Sequence, residues 1–361
     1  MMENAEIHMS KFKIIRNIIV FLLILTGSLW LLQRLLVPKY IEENEEGVLS
    51  AEYYDNAGEN DVLFIGDCEV YSNFSPVKLW QDYGITSVIR GTPQQLIWQS
   101  YYMLEDTLRY ETPKVVVYNV FSMRYDKPQS EAYNRLTLDG MRWSGVKSDA
   151  IKASMTEDES YLSYMFPILR FHSRWNELSS EDFKYLFSSE QLSHNGYVMR
   201  IDTKPVEYLP DPIPLADYTY ADIDWEYLDK IRDCCKEHGI TLILIKSASC
   251  YPYWYPEWDQ QIKDYAEKYG LTYVNFLEHQ SETGIDYAQD TYDAGLHLNL
   301  SGAEKSSAFF GKILMEQPGI TDRRGDGSLT EKWNRKIEFY EQMKASQQKQ
   351  LDETGKVTSF R

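Results

Sequence analysis

Four short segments hold the residue types that chemistry uses: Gly66-Asp67-Cys68-Glu69, Arg90-Gly91, Asn119, and the run Asp293-Ala294-Gly295-Leu296-His297-Leu298-Asn299. A thiol attacks a carbonyl carbon once a base takes its proton, and an imidazole oriented by a carboxylate is the commonest such base. Polar N–H groups must then receive the oxyanion that forms. Nucleophile, base, acidic partner and oxyanion donors together are the parts of an acyl-transfer site. Each also has a plainer reading. Cys68 fits an inert buried thiol, or a partner for Cys250, whose loop follows another strand at the same sheet edge. Glu69 beside it disfavours the thiolate through like charge. His297 fits a packed loop histidine, and Asn119 a strand-end turn former. Of the other histidines, His172 in Phe-His-Ser-Arg-Trp is the one to watch, either as an insertion residue facing the site or as a hydrogen-bonded core residue.

Such segments act together only if the chain brings them to one edge. Strand and helix signals alternate after about residue 50, which predicts a parallel sheet with crossover helices. Asp61–Ile65, Ile85–Ile89, Lys114–Val120, Thr241–Ile245 and Leu271–Phe276 read as strands. Ser75-Pro76 opens a helix that Gly84 closes, and helices are expected over Gln94–Tyr110, Trp225–His238, Gln260–Tyr269 and Leu300–Glu316. In an open parallel sheet the loops at the carboxyl ends of the strands carry function, and all four segments fall there. The domain is expected over 50–317. A helical insertion over 122–221 contains Trp143, Phe166, Phe171, Trp175 and Phe183 and is expected to pack over the sheet. A charged tail over 318–361 has one amphipathic stretch near Trp333–Met343.

Asn17–Val37 reads NIIVFLLILTGSLWLLQRLLV, long enough at 1.5 Å per residue to cross a bilayer's hydrocarbon core. Lys11, Lys13 and Arg16 flank its near end, Arg34 and Lys39 its far end, and Glu42, Glu43, Glu45 and Glu46 follow. This pattern predicts a cytoplasmic tail at 1–16, a single uncleaved signal anchor at 17–37 and an extracytoplasmic domain.

The net charge of −18, from 37 basic and 55 acidic residues, argues against nucleic-acid binding and against flat docking on anionic lipid. Four cysteines without a Cys-x-x-Cys pair predict neither a disulfide framework nor a structural zinc site.

The order Gly-Asp-Cys, Gly, Asn, then Asp…His near the C-terminus resembles the SGNH/GDSL hydrolase–acyltransferase family over roughly Asp61–Val120 and Asp222–Glu316. With its membrane anchor the chain is most similar to the extracytoplasmic branch, which includes the D-alanyl-transfer protein of teichoic-acid operons and the alginate O-acetylation proteins. The resemblance implies a flavodoxin-like three-layer α/β sandwich. It places Cys68 at the nucleophile, Gly91 and Asn119 at the oxyanion hole, His297 at the base and Asp293 at its orienting acid. Cys replaces the family's Ser, three residues separate Asp293 from His297 where two are usual, and Asn119 lacks the customary Gly-x-Asn-Asp setting. The expected activity is acyl transfer or ester cleavage on a cell-wall or secreted glycan, without metal or organic cofactor. The expected partners are the bilayer, a glycan acceptor and a membrane-bound O-acyltransferase. A catalytically degenerate domain that binds glycan or a membrane partner is the alternative.

Overall fold

The computed structural model describes residues 2–38, 48–188 and 191–357, with side chains from residue 11 onward. Lys39, the Glu42–Glu46 acidic run and the last four residues of the tail lie outside them. Contacts divide the chain into two units, Met1–Glu45 with Glu159–Glu190, and Glu46–Asp158 with Gln191–Arg361.

The larger unit is built on five parallel strands: β1 (Val62–Gly66), β2 (Ser87–Gly91), β3 (Val115–Asn119), β4 (Thr241–Lys246) and β5 (Thr272–Asn275). Their spatial order is β2-β1-β3-β4-β5, the flavodoxin-like order of doubly wound sheets. Nearly every strand residue is buried, which is why the strands read as unbroken apolar runs and not as alternating ones. Val62, Phe64, Val117, Ile243 and Ile245 face one layer of helices, supplied by Pro76–Tyr83, Leu300–Met315 and Gly327–Thr354. Helices Ile97–Thr107 and Asp222–Glu237 pack together and against β1, β2 and β4 in the other layer. The predicted α/β sandwich is the observed one. Ser75 caps its helix by accepting from Lys78 N, and Gly84 ends that helix at φ 67°.

Two segments differ from expectation. The charged tail is mostly one helix, Gly327–Thr354, whose Trp333 stacks on Trp80 with centroids 5.1 Å apart. Its buried face repeats at helical spacing (Leu329, Trp333, Tyr340, Met343, Gln347) inside a strongly polar sequence. The 122–221 stretch is not one layer of helices. Helices Glu131–Leu138 and Gly145–Ser154 belong to the larger unit, residues 159–190 to the other. Beyond them the chain borders β2, where Ile89 N donates to Asn195 O at 2.9 Å.

In the smaller unit, one helix runs over Met2–Leu36, and its 26 residues from Lys11 to Leu36 are apolar and long enough to cross a membrane. Short helices at Tyr161–Met165, Ile168–Phe171 and Ser180–Lys184 gather at its far end. His172 sits among them, exposed, with Nδ1 3.2 Å from Leu169 O.

One buried carboxyl of the larger unit is poorly served. Asp224 is fully buried with neither carboxylate oxygen hydrogen-bonded, and burial pushes its pKa up to about 8. The folded state therefore holds this proton more tightly than the unfolded chain, so the group's favourable contribution is complete below pH 4 and is lost as pH rises towards 8. Asp224→Asn removes that loss. Urea unfolding should show the variant gaining stability over wild type between pH 5 and 7.5, by on the order of 2 kcal/mol. A pH-independent difference would show that the carboxyl does not titrate in this way.

Candidate active site

β1 ends at Gly66, and Asp67 turns the chain into helix Cys68–Asn73 by accepting Glu69 N at 3.1 Å. The turn sits tightly on its neighbours. A Cβ on Gly91, at the end of β2, would lie 2.4 Å from Val70 Cγ2 and 3.1 Å from Asp67 O. Gly91 is thus required for the helix start to rest on the adjacent strand, whatever its N–H does. Cys68 occupies the first position of this helix and is partly exposed. Burial drives its pKa well above the ordinary thiol value, Asp67 and Glu69 push it the same way, and the Arg124 guanidinium pulls it down. Cys68 is accordingly a thiol at neutral pH and needs a base to react.

Beneath it lies a buried polar network. Asn119 ends β3 and gives its amide hydrogens to Asp67 Oδ1 and Glu69 Oε2, both at 3.0 Å, while its carbonyl oxygen accepts Ser247 N at 3.2 Å. Lys246, at the end of β4, is fully buried and donates to Glu69 Oε1 at 2.8 Å, to Ser247 O at 2.8 Å and to Ser249 O at 3.1 Å. Asn73, at the far end of the Cys68 helix, donates to the Ser247 and Ser249 hydroxyls and accepts Leu298 N at 2.9 Å. Asn73 therefore ties the helix carrying Cys68 directly to the residue after His297.

The His297 loop is a closed turn. Ala294 and Gly295 adopt positive φ of 63° and 96°, which folds the segment back so that Asp293 meets His297 twice. Asp293 Oδ1 accepts the His297 backbone N–H at 2.7 Å, and Oδ2 lies 2.6 Å from Nδ1. The extra residue between acid and base is absorbed by this left-handed turn. Thr291 Oγ1 reinforces it, accepting Gly295 N and donating to His297 O. With Nδ1–H assigned towards Asp293, Nε2 carries the lone pair, and Nε2 has no hydrogen-bond partner. The ring is stacked on Tyr292 at 5.7 Å and on Tyr71 at 6.4 Å.

Cys68 and His297 thus share neighbours. Tyr71 lies one turn beyond Cys68 and stacks on His297, and both Tyr71 and Tyr292 lie within electrostatic reach of Cys68 and Asp293. All four cysteines are free, so Cys68 is not paired with Cys250. Cys250 lies against Gly295 O at 3.8 Å with its pKa pushed up to about 11 by burial.

Three participants escaped sequence reasoning: Lys246, Asn73 and Arg124. Lys246 carried a signal, since a lysine ending an otherwise apolar strand must find an anion or face water. Arg124 lies over the Phe121 ring at 3.9 Å and donates to Tyr125 OH; nothing in its sequence neighbourhood marks it. Among the described residues no cluster of three or more His, Cys, Asp or Glu side chains could hold a metal ion.

No protein-family model matches this chain. No curated protein matches it either. Among solved structures it is similar to a putative acylhydrolase from Bacteroides fragilis, at 11% identity and TM-score 0.35, over 73% of this chain and 93% of that one. It is similar also to a GDSL-like lipase from Bacteroides thetaiotaomicron, at 11% identity and TM-score 0.35, over 74% and 95%.

Proposed function

We propose that the chain is a membrane-anchored acyltransferase or esterase of SGNH type, working outside the cytoplasm on a cell-wall or secreted glycan. The observation that carries the reading is the Asp293–His297 pair, which leaves Nε2 unpartnered at the sheet edge where Cys68 begins its helix. His297 Nε2 takes the Cys68 proton, the sulfur attacks the acyl carbonyl, and a thioester forms as the donor's leaving group departs with a proton from His297. A hydroxyl of the acceptor, deprotonated by the same imidazole, then attacks the thioester and releases the thiol. A thiolate leaves more readily than a sugar alkoxide, so cysteine favours transfer to a hydroxyl over cleavage of an oxygen ester. Gly91 and Asn119 are the proposed oxyanion donors, and Asn119 must release one carboxylate to serve. Orientation follows from Lys11, Lys13 and Arg16 beside the apolar helix. A membrane-bound O-acyltransferase is the proposed source of the acyl group.

A second reading, a glycan- or partner-binding domain without turnover, is favoured by the raised Cys68 pKa and the fully occupied Asn119 amide. A thiol-reactive acyl-ester probe separates the two. Catalysis predicts labelling of Cys68 that is lost in Cys68→Ala and strongly slowed in His297→Ala, read by peptide mass spectrometry. Labelling indifferent to His297 would favour the binding domain.

A further inference from the structure

The segment 159–188 is unusual for a surface facing water. Leu162, Phe166, Leu169, Trp175, Phe183 and Phe187 are each between 48% and 72% exposed. An apolar surface this dense on a folded chain marks a contact. Its neighbours within the same unit say with what. Arg174 Nη1 donates to Leu36 O at 2.6 Å, Arg34 Nε donates to Leu186 O, and Phe187 lies 6.4 Å from Trp30. These contacts fall in the last two turns of the Lys11–Leu36 helix, where Leu36 is buried and Gln33 and Leu35 are half-buried while residues 11–32 are exposed. That helix is about 39 Å long at 1.5 Å per residue, against a hydrocarbon core of about 30 Å. With Lys11, Lys13 and Arg16 at the near interface, its Arg34–Leu36 end falls at the level where the core meets the headgroups, the depth at which arginine with its stem in the apolar layer is best placed.

We propose that residues 159–188 form a second membrane contact, a collar of short helices seated in the lipid interface around the exit of the anchor helix. The inference rests on the proposed anchoring by that helix. Its occupant is phospholipid, because the segment is continuous with a surface already matched to acyl chains and its exposed apolar side chains are large, aromatic or branched. Burial of these side chains drives the insertion, against the opposition that the strongly acidic net charge of the whole chain offers on anionic lipid. The collar also accounts for an exposed apolar stretch that clusters with the anchor helix.

The test uses the full chain in phosphatidylcholine–phosphatidylglycerol liposomes, with the photoreactive residue p-benzoylphenylalanine placed singly at 166, 175 or 25. Illumination should yield phospholipid adducts at 166 and 175 within about threefold of the frequency at 25. Adducts at 25 with unreacted probe at 166 and 175 would overturn the collar and leave the anchor intact, as would cross-links from 166 and 175 to a second copy. The same positions probed in native membranes and cross-linked only to another protein would also overturn it, in favour of a protein partner. No lipid adduct at 25 would instead remove the anchoring reading itself. A probe at 183 repeats the measurement should either collar variant fail to accumulate.

Discussion

Alanine at His297 is expected to lower turnover of an activated acyl ester by about 10³-fold or more, and alanine at Cys68 by at least as much. In the proposed mechanism the imidazole accepts the proton of a thiol whose pKa is raised by burial and by Asp67 and Glu69, so without it the thiolate is scarce at neutral pH. The double variant should be no worse than the worse single one, because nucleophile and base serve one step. Cys68→Ser should keep or raise ester hydrolysis, since a serine alkoxide and a sugar alkoxide are comparable leaving groups. The measurement is nitrophenol release from its acetate ester, or acetate release from an acetylated glycan, by the full chain in detergent. Unchanged turnover in Cys68→Ala would place the nucleophile elsewhere. If wild type and Cys68→Ser are both inert and folded, the binding-domain reading stands.

Lys246→Met should cost about 3–5 kcal/mol of stability, the usual loss when one member of a buried ion pair is removed. Lys246 is fully buried, and its ammonium makes bonds to Glu69 Oε1, to Glu69 Oε2 at 3.1 Å and to two backbone carbonyls. Methionine leaves the Glu69 carboxylate with only Asn119 as its side-chain donor and strands the Ser247 and Ser249 carbonyls. The double variant Glu69→Gln/Lys246→Met should recover part of the loss. Chemical denaturation of the single and double variants reads both. A loss below about 1 kcal/mol in the single variant would show that Glu69 is neutral in the fold, consistent with the upward push that burial exerts on its pKa.

The framework was legible because its signals are local. Five short apolar runs, the Ser75-Pro76 start and the Gly84 stop each specify an element by composition and capping alone, and the strands shift by only a residue or two from expectation. The site's parts were legible for a related reason: in a parallel sheet the carboxyl ends of strands meet at one edge. What sequence could not give is pairing. Nothing in the neighbourhood of Asn73 or Lys246 says that one bonds Leu298 N and the other Glu69, since these contacts span 225 and 177 residues. Nor could it show that Asn119 spends its amide on two carboxylates. The C-terminal helix was underestimated because its charged face dominates composition, while its buried face, spaced by three, four and seven residues, is sparse. That residues 159–190 of the insertion cluster with the N-terminal helix was not legible, because aromatic content does not say which surface an aromatic side chain covers.

The stacking of Trp333 on Trp80 ties the beginning of the sheet domain to nearly its last residues, and Gln347 Nε2 extends the bond by donating to Met199 O at 2.9 Å. Synthesis runs in one direction, so every element of the sheet emerges before the helix that covers Trp80, Leu79 and Val77 on this face. Until that helix emerges, the nascent domain carries an uncovered aromatic patch at Trp80. The sheet domain's core is then closed only after Gly327–Thr354 has emerged. A premature stop after about residue 320 would leave the strands and the Cys68–His297 loops fully encoded, yet deliver a product with an open hydrophobic face, fit for proteolysis before it is fit for chemistry.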